Sequence, residues 1–382
     1  MEDTLVYVGF LLLPVVFAGA LYAVARRRAS GAGTQQPRAD RRREGGRRPW
    51  PGERAGARDA TPAATTVELG WPRLVAVNLL VFLLLSSVVL LGLESYYRFV
   101  YDSTDSFGLT RTTAEWWMRH SHANKMVVRD DVEYALARTP GRPRVTFLGD
   151  SFTAGHGIAD VGDRFANLVR KDRPAWEIHV LARSGLDTGA EVRFLQDTVR
   201  RGYELDRVVL VYCLNDISDI VPEWNAIMDR IKDKRDPPGF LVQHSYLANV
   251  AYYRLKAMRD PDVSNYYGFV RSAYAGTVWE KQRERLAGLK AFVDANGGRL
   301  LVVTFPFLHA VGPDYGFRGA HERLGALWME LGVPHLDLLT VYGDLPSRSL
   351  TVGAFDAHPN EHASRLAANA IEKFLDGELP AN

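Results

Sequence analysis

Arg144-Val145-Thr146-Phe147-Leu148-Gly149-Asp150-Ser151-Phe152-Thr153 joins a short apolar, β-branched run to a Gly-Asp-Ser turn. The run reads as a buried strand. The turn places Ser151 where a strand gives way to a helix, at the open edge of a sheet. Alone, the tripeptide is weak, because Asp and Ser also serve as ordinary helix caps. Four further runs of the same kind lie at residues 177–181, 207–212, 299–305 and 334–338. Between them, residues 164–171, 190–201, 278–295 and 320–331 repeat their apolar positions at a helical period, and a last helix is expected from about 360 to 375. Such alternation predicts an α/β fold, a five-stranded parallel sheet covered by helices on both faces.

Two segments stand outside the alternation. Residues 94–143, between the second apolar run and the first strand, are rich in aromatics such as Tyr96, Tyr97, Trp116 and Trp117, and read as a packing collar on the catalytic core. Residues 217–277 interrupt the pattern after the third strand with Trp224, Tyr246, Tyr252, Tyr253, Tyr266, Tyr267 and Tyr274. An insertion at a strand's carboxyl end lies where open α/β sheets take ligands, so it reads as a lid or substrate wall, or as a small core of its own.

Upstream, residues 5–25 form a run of 21 without a charge, and residues 74–93 a run of 20. At about 1.5 Å per residue each spans a hydrocarbon core of about 30 Å. Ala23-Val24-Ala25 resembles a signal-peptide cleavage site. The leader nevertheless carries Glu2 and Asp3 where a secretory one is positive, and Arg26-Arg27-Arg28 follows the run, so a retained helix is expected. Residues 26–73 hold twelve Arg, no Lys and five acidic residues, a net of +7. The positive-inside rule keeps that loop cytoplasmic and sends the catalytic domain to the other side as part of a two-pass membrane protein. Within the loop, residues 30–66 are crowded with Gly, Pro, Ala and Thr and read as a disordered linker. Over the whole chain, a formal charge of +2 and 47% hydrophobic residues exclude a nucleic-acid binder and a disordered protein. Cys213 is the only cysteine, so no internal disulfide can form.

The far end of the chain gives the Gly-Asp-Ser turn its meaning. Phe355-Asp356-Ala357-His358-Pro359-Asn360 opens the final helix, and Pro359 suits a first helical position, which puts His358 at the cap facing Ser151. Asp356 stands ready to orient the imidazole, completing a Ser–His–Asp set. Acyl transfer also needs donors for a developing oxyanion. Candidates are the N–H of Ser151 itself, the backbone at Gly185 in Ser184-Gly185-Leu186, and the side-chain amide of Asn215 in Cys213-Leu214-Asn215-Asp216.

Together these four blocks resemble the SGNH (GDSL-type) hydrolase family, named for the Ser, Gly, Asn and His that stand here as Ser151, Gly185, Asn215 and His358. The resemblance covers residues 144–375. It implies a flavodoxin-like three-layer α/β/α sandwich, hydrolysis of ester bonds, and no metal or organic cofactor. Two positions depart from the family pattern. Cys213 replaces the usual Gly of the third block, which puts the local backbone conformation in question, and Asp356 precedes His358 by two residues instead of three. Asp187 and Asp216 are the substitute acids if Asp356 does not serve.

Other constellations fit less well. His358 and His362 lie four apart, but Pro359 puts the first at a cap and not on a zinc-binding helix face. The Gly-x-Ser-x-Gly elbow is broken by Thr153, and Gly155-His156-Gly157 lacks the third Gly of a dinucleotide fingerprint. His120 and His122 read as loop or packing histidines. The expected function is hydrolysis of acyl esters, O-acetyl groups among them, on extracytoplasmic glycans or lipids. An O-acyltransferase with the same triad and a silent glycan-binding protein are the alternatives. The expected partners are the ester substrate, an acylated carbohydrate in particular, and the bilayer.

Overall fold

The computed structural model of the chain describes residues 2–26, 70–234 and 237–378. The Arg-rich loop, apart from its ends, and the linker at 30–66 lie outside the described residues. The chain divides into two compact units, Met1–Tyr96 and Tyr97–Asn382.

The first unit holds α1 (Glu2–Arg26) and all but the last turn of α2 (Trp71–Phe99). Both helices are long and apolar enough to cross a membrane. Their leucines, valines and phenylalanines are largely exposed, and α1 buries no residue at all. The helices run antiparallel, since Tyr7 Oη lies 3.0 Å from Ser95 Oγ and Arg73 donates to the Val24 carbonyl at 3.1 Å. The second helix continues to Phe99, taking in the first residues of the expected collar.

The second unit begins with α3 (Arg111–His120) and then alternates. β1 (Arg144–Gly149) leads into the one-turn α4 (Ser151–Ala154) and α5 (Phe165–Asp172); β2 (Glu177–Ala182) into α6 (Thr188–Arg200); and β3 (Arg207–Cys213) into a 3₁₀ turn. The insertion supplies α7 (Trp224–Ile231), α8 (Phe240–His244), α9 (Tyr246–Arg259) and α10 (Pro261–Ala273). After it come α11 (Gly276–Ala295), β4 (Arg299–Phe305), α12 (Arg318–Glu330), β5 (His335–Asp337) and α13 (Leu339–Tyr342). A small antiparallel pair, β6 (Thr351–Gly353) and β7 (Asp356–Pro359), precedes α14 (Glu361–Glu378).

Five strands form one parallel sheet in the order β2-β1-β3-β4-β5. That is the flavodoxin-like order, so the fold is a doubly wound α/β/α sandwich. α5 packs with α14 on one face of the sheet, and α6 with α11 on the other. Helices on both faces explain why β1 is buried along its whole length and reads as a continuous apolar run, not an alternating one. Side chains such as Val145, Phe147, Val209, Leu210 and Val302 are fully buried, each contributing about 1.5–3 kcal/mol of transfer free energy.

The stretch from 97 to 143 is fastened to this core by a buried charge cluster. Asp130 accepts from Arg164 at 2.8 Å, from Arg170 at 2.7 and 2.8 Å, and from the Tyr134 hydroxyl. Burial acts to raise the Asp130 pKa, but the Arg170 hydrogen bonds and the two guanidinium charges outweigh it and bring it down to about 2. Removing one partner of such a buried set costs about 3–5 kcal/mol.

The insertion has a core of its own. Ile227, Ile231 and Val263 are buried together, with Met228, Tyr266 and Phe269 against them, and residues 97–143 contribute Phe107 and Leu109 to the same cluster.

Candidate active site

In the 2-1-3-4-5 order the chain leaves β1 toward β2 and returns past it to β3, so a crevice opens at the carboxyl ends of β1 and β3. Three of the four motif blocks emerge along this edge of the sheet, after β1, β2 and β3. Gly149 closes β1 because a Cβ on it would lie 2.2 Å from the Thr153 hydroxyl, and Asp150 then caps α4 by accepting from the Phe152 N–H at 2.9 Å. Ser151 is therefore the first residue of a helical turn. Beyond β2, Gly185 adopts φ +82, a conformation that strains any residue with a Cβ. Beyond β3, Asn215 sits in the 3₁₀ turn Leu214–Ile220.

Cys213 is backed into that turn at φ −99, ψ 148, extended backbone that any residue adopts. The glycine usual at this position is thus not required. Burial pushes the Cys213 thiol well above its ordinary pKa, which leaves it inert as a nucleophile.

His358 arrives from the other end of the chain, but not from a helix cap. It lies in β7, and α14 begins at Glu361 with Asn360 as its cap, accepting from the Ala363 N–H at 2.9 Å. The reason lies in Pro359, whose ring disfavours helical backbone at the residue before it and holds His358 extended. The Asn360 side chain also donates to the carbonyls of Ser349 and Thr351, which ties the start of the helix to β6.

These elements bring three side chains into line. His358 Nε2 lies 2.8 Å from Ser151 Oγ, and His358 Nδ1 lies 2.6 Å from Asp356 Oδ1. Asp150 Oδ2 stands 3.4 Å from both Ser151 Oγ and Asn215 Nδ2. Burial acts to raise the Asp356 pKa, yet the His358 charge and the hydrogen bonds from His156 and His358 prevail and hold the carboxyl far below the usual range. Burial acts to lower the His358 pKa, and the Asp356 charge and hydrogen bond, with Asp150 and Asp105 behind them, raise it. Ser151 and His358 open onto a cavity of about 500 Å³ that Gly185 and Asn215 also line. The arrangement suits removal of a hydroxyl proton beside a space large enough for an acyl group and part of its carrier.

The cavity walls come from the two segments outside the alternation. Trp224, Met228 and Tyr266 of the insertion line the cavity, as do Phe107 and Trp117 of the stretch after α2. The substitute acids are engaged elsewhere. Asp187 caps α6 through the Ala190 N–H at 2.9 Å, and Asp216 accepts from the Cys213 N–H at 2.8 Å. His120 pairs with Asp102 at 2.7 Å.

His156 is a residue that sequence reading missed. Its ring stacks on His358 with centroids 4.2 Å apart and planes 21° from parallel, and its Nε2 lies 3.4 Å from Asp356 Oδ2. His156, Asp356 and His358 offer three ligand-type atoms within 4.8 Å. Two rings stacked nearly parallel cannot both aim an in-plane lone pair at a single ion, so the cluster reads as a hydrogen-bonded group. The available signal was positional: Gly155 ends the Ser151 turn at φ +75, which returns the next residue toward the triad.

No protein-family model and no curated relative matches the chain. Among solved structures it is similar to TesA, at 15% identity over 62% of this chain and 99% of that one, with a TM-score of 0.39. It is also similar to a psychrotrophic esterase, EstA, from Pseudoalteromonas sp., at 15% identity over 61% of this chain and 97% of that one, with a TM-score of 0.36. A member of the lipolytic G-D-S-L family from Veillonella parvula matches at 12% identity over 60% of this chain and 96% of that one, with a TM-score of 0.36. The fold assignment rests on the strand order and not on these likenesses.

Proposed function

We propose that this protein is a serine esterase of the SGNH type, with Ser151 as nucleophile, His358 as general base and Asp356 as orienting acid. The observation that carries the reading is the chain of contacts from Ser151 Oγ through His358 to Asp356, at 2.8 and 2.6 Å, opening onto a cavity that Gly185 and Asn215 also line. As Ser151 Oγ bonds to the acyl carbon, its proton passes to His358 Nε2 and the carbonyl becomes an oxyanion facing the Ser151 N–H, Gly185 and Asn215. Collapse breaks the bond to the alcohol, which leaves with the proton from His358. Water, deprotonated by the same imidazole, then releases the acid and restores Ser151.

The cavity walls bear on the substrate class. Trp117, Trp224 and Tyr266 line the cavity, and aromatic rings suit stacking on a sugar, which favours an acylated glycan. We read the two apolar helices as membrane spans, and the arginines of the intervening loop support an extracytoplasmic catalytic unit.

A fluorophosphonate probe followed by a panel of acyl esters and acetylated glycans tests the reading. Wild-type protein is expected to label and to turn over at least one ester, and Ser151→Ala to do neither while keeping its fold. Ester turnover by Ser151→Ala overturns it.

A further inference from the structure

The acid end of the Ser151–His358–Asp356 chain has neighbours that the reaction sequence above does not use. Thr104, in the stretch after α2, donates its hydroxyl to Asp356 Oδ2. His156 Nε2 lies 3.4 Å from the same oxygen and 3.2 Å from the Asp105 carbonyl. A carbonyl only accepts, so Nε2 carries the proton of a neutral His156 imidazole. The opposite nitrogen, Nδ1, is buried with no hydrogen-bond partner among the described residues. An unmade buried hydrogen bond is a standing cost, and it marks the ring as placed for what its other nitrogen does.

The same segment holds the loop that carries the acid. Ser106 N–H donates to the Phe355 carbonyl at 3.0 Å, and the Ala357 N–H donates to Ser106 Oγ at 2.8 Å. Asp105 organises the turn by accepting from the N–H groups of Leu109 and Thr110, both at 2.9 Å. Thr104 is thus set by its own segment against Asp356, and the loop is clamped on either side of it.

We propose that Thr104 and His156 are positioning residues that fix Asp356 and, by sharing its negative charge, keep His358 a weaker base than Asp356 alone would make it. A carboxylate that already accepts from Thr104 and has the His156 N–H 3.4 Å from the same oxygen stabilises an imidazolium less well. The inference rests on the serine-esterase reading. The charged and titratable groups facing His358 are Asp356 on its own strand, Asp150 at the Ser151 turn, Asp105 from the stretch after α2, and the stacked His156. Burial, and then the His358 charge, lower the His156 pKa against the pull of Asp356 and Asp105, so this ring stays uncharged at neutral pH. Neutrality matters, because a second cation stacked on His358 would oppose the imidazolium formed as Ser151 attacks.

The test reads His358 directly. Full-length protein in detergent micelles, labelled with ¹³C at histidine Cε1, is titrated by NMR, and the His358 signal is assigned by its loss in His358→Gln. Thr104→Val and His156→Leu each remove one donor, and each is expected to raise the His358 midpoint by roughly half a pH unit. Thr104→Ser and His156→Gln, which keep a donor, are expected to return it toward wild type. The acid limb of ester turnover should move upward with it. A His358 midpoint that stays put or falls in Thr104→Val and His156→Leu overturns the inference; if Thr104→Val does not fold, the comparison of His156→Leu with His156→Gln decides. Because the midpoint is read without turnover, failure here is distinct from failure of the serine mechanism, which ester turnover by Ser151→Ala reports.

Discussion

Asp356 Oδ1 accepts from His358 twice, from its ring Nδ1 at 2.6 Å and from its backbone N–H at 3.0 Å. One oxygen holds both the side chain and the main chain of the same residue. That geometry explains how an acid only two positions before the histidine can orient it: β7 is extended there, so the carboxylate folds forward over one intervening residue. Asp356→Asn keeps an oxygen for these contacts but replaces Oδ2 by an amide that meets the donors of Thr104 and His156. Ester turnover is expected to fall by roughly two to four orders of magnitude with little change in the circular dichroism spectrum. Turnover within threefold of wild type would remove Asp356 from the orienting role.

Asn215→Ala tests the oxyanion side separately from the nucleophile. The substitution leaves the Ser151–His358 contact intact, so probe labelling should persist at a reduced rate. Turnover is expected to drop by about 100-fold to 1,000-fold, measured as kcat on the best ester of the panel. An unchanged kcat would leave the Ser151 and Gly185 backbone as the donors.

As the proposed base, His358 accepts a proton only as neutral imidazole, and its environment raises its pKa above the ordinary 6.5. Activity should therefore be full well above neutrality and decline as the pH falls through that raised value. A kcat/KM profile from pH 5 to 9 should place its acid limb above 6.5. Asp356 contributes no limb in this range, since its carboxyl titrates far below it. A limb centred at or below 6.5 would contradict the electrostatic picture of the site.

Topology is tested with a periplasm-type reporter fused after Asn382. The reporter is expected to be active only outside the cytoplasm, and the arginine-rich loop to resist protease added from outside. An active cytoplasmic reporter would reverse the orientation and remove exported glycans as substrates.

The sheet was legible because each long strand is buried on both faces and so appears as an unbroken β-branched run, with Arg299–Phe305 placed to the residue. The short β5 lost a residue at each end of its expected span, as edge strands with few partners do. The candidate site was legible where a motif falls at a strand end, as at Ser151, Gly185 and Asn215, which line one cavity. His358 was found by its neighbours in sequence, but its setting was misjudged, because a helix-start signal at Pro359 outweighed that residue's effect on the one before it. Thr104 left no signal. Its contact with Asp356 spans 252 residues, and a lone Thr in an aromatic-rich stretch carries no periodicity. The packing role expected for that stretch was too narrow, since Phe107 and Trp117 face the cavity.

The clamp between residues 104–106 and 355–357 also sets when the protein becomes competent. A ribosome adding about 5–20 residues per second makes Thr104 roughly ten to fifty seconds before it makes Asp356. Throughout that interval Ser151 lacks both the proposed base and the proposed orienting acid. Under the proposed mechanism the nascent chain cannot act on an ester until the last fraction of the polypeptide has been made and folded back onto the first.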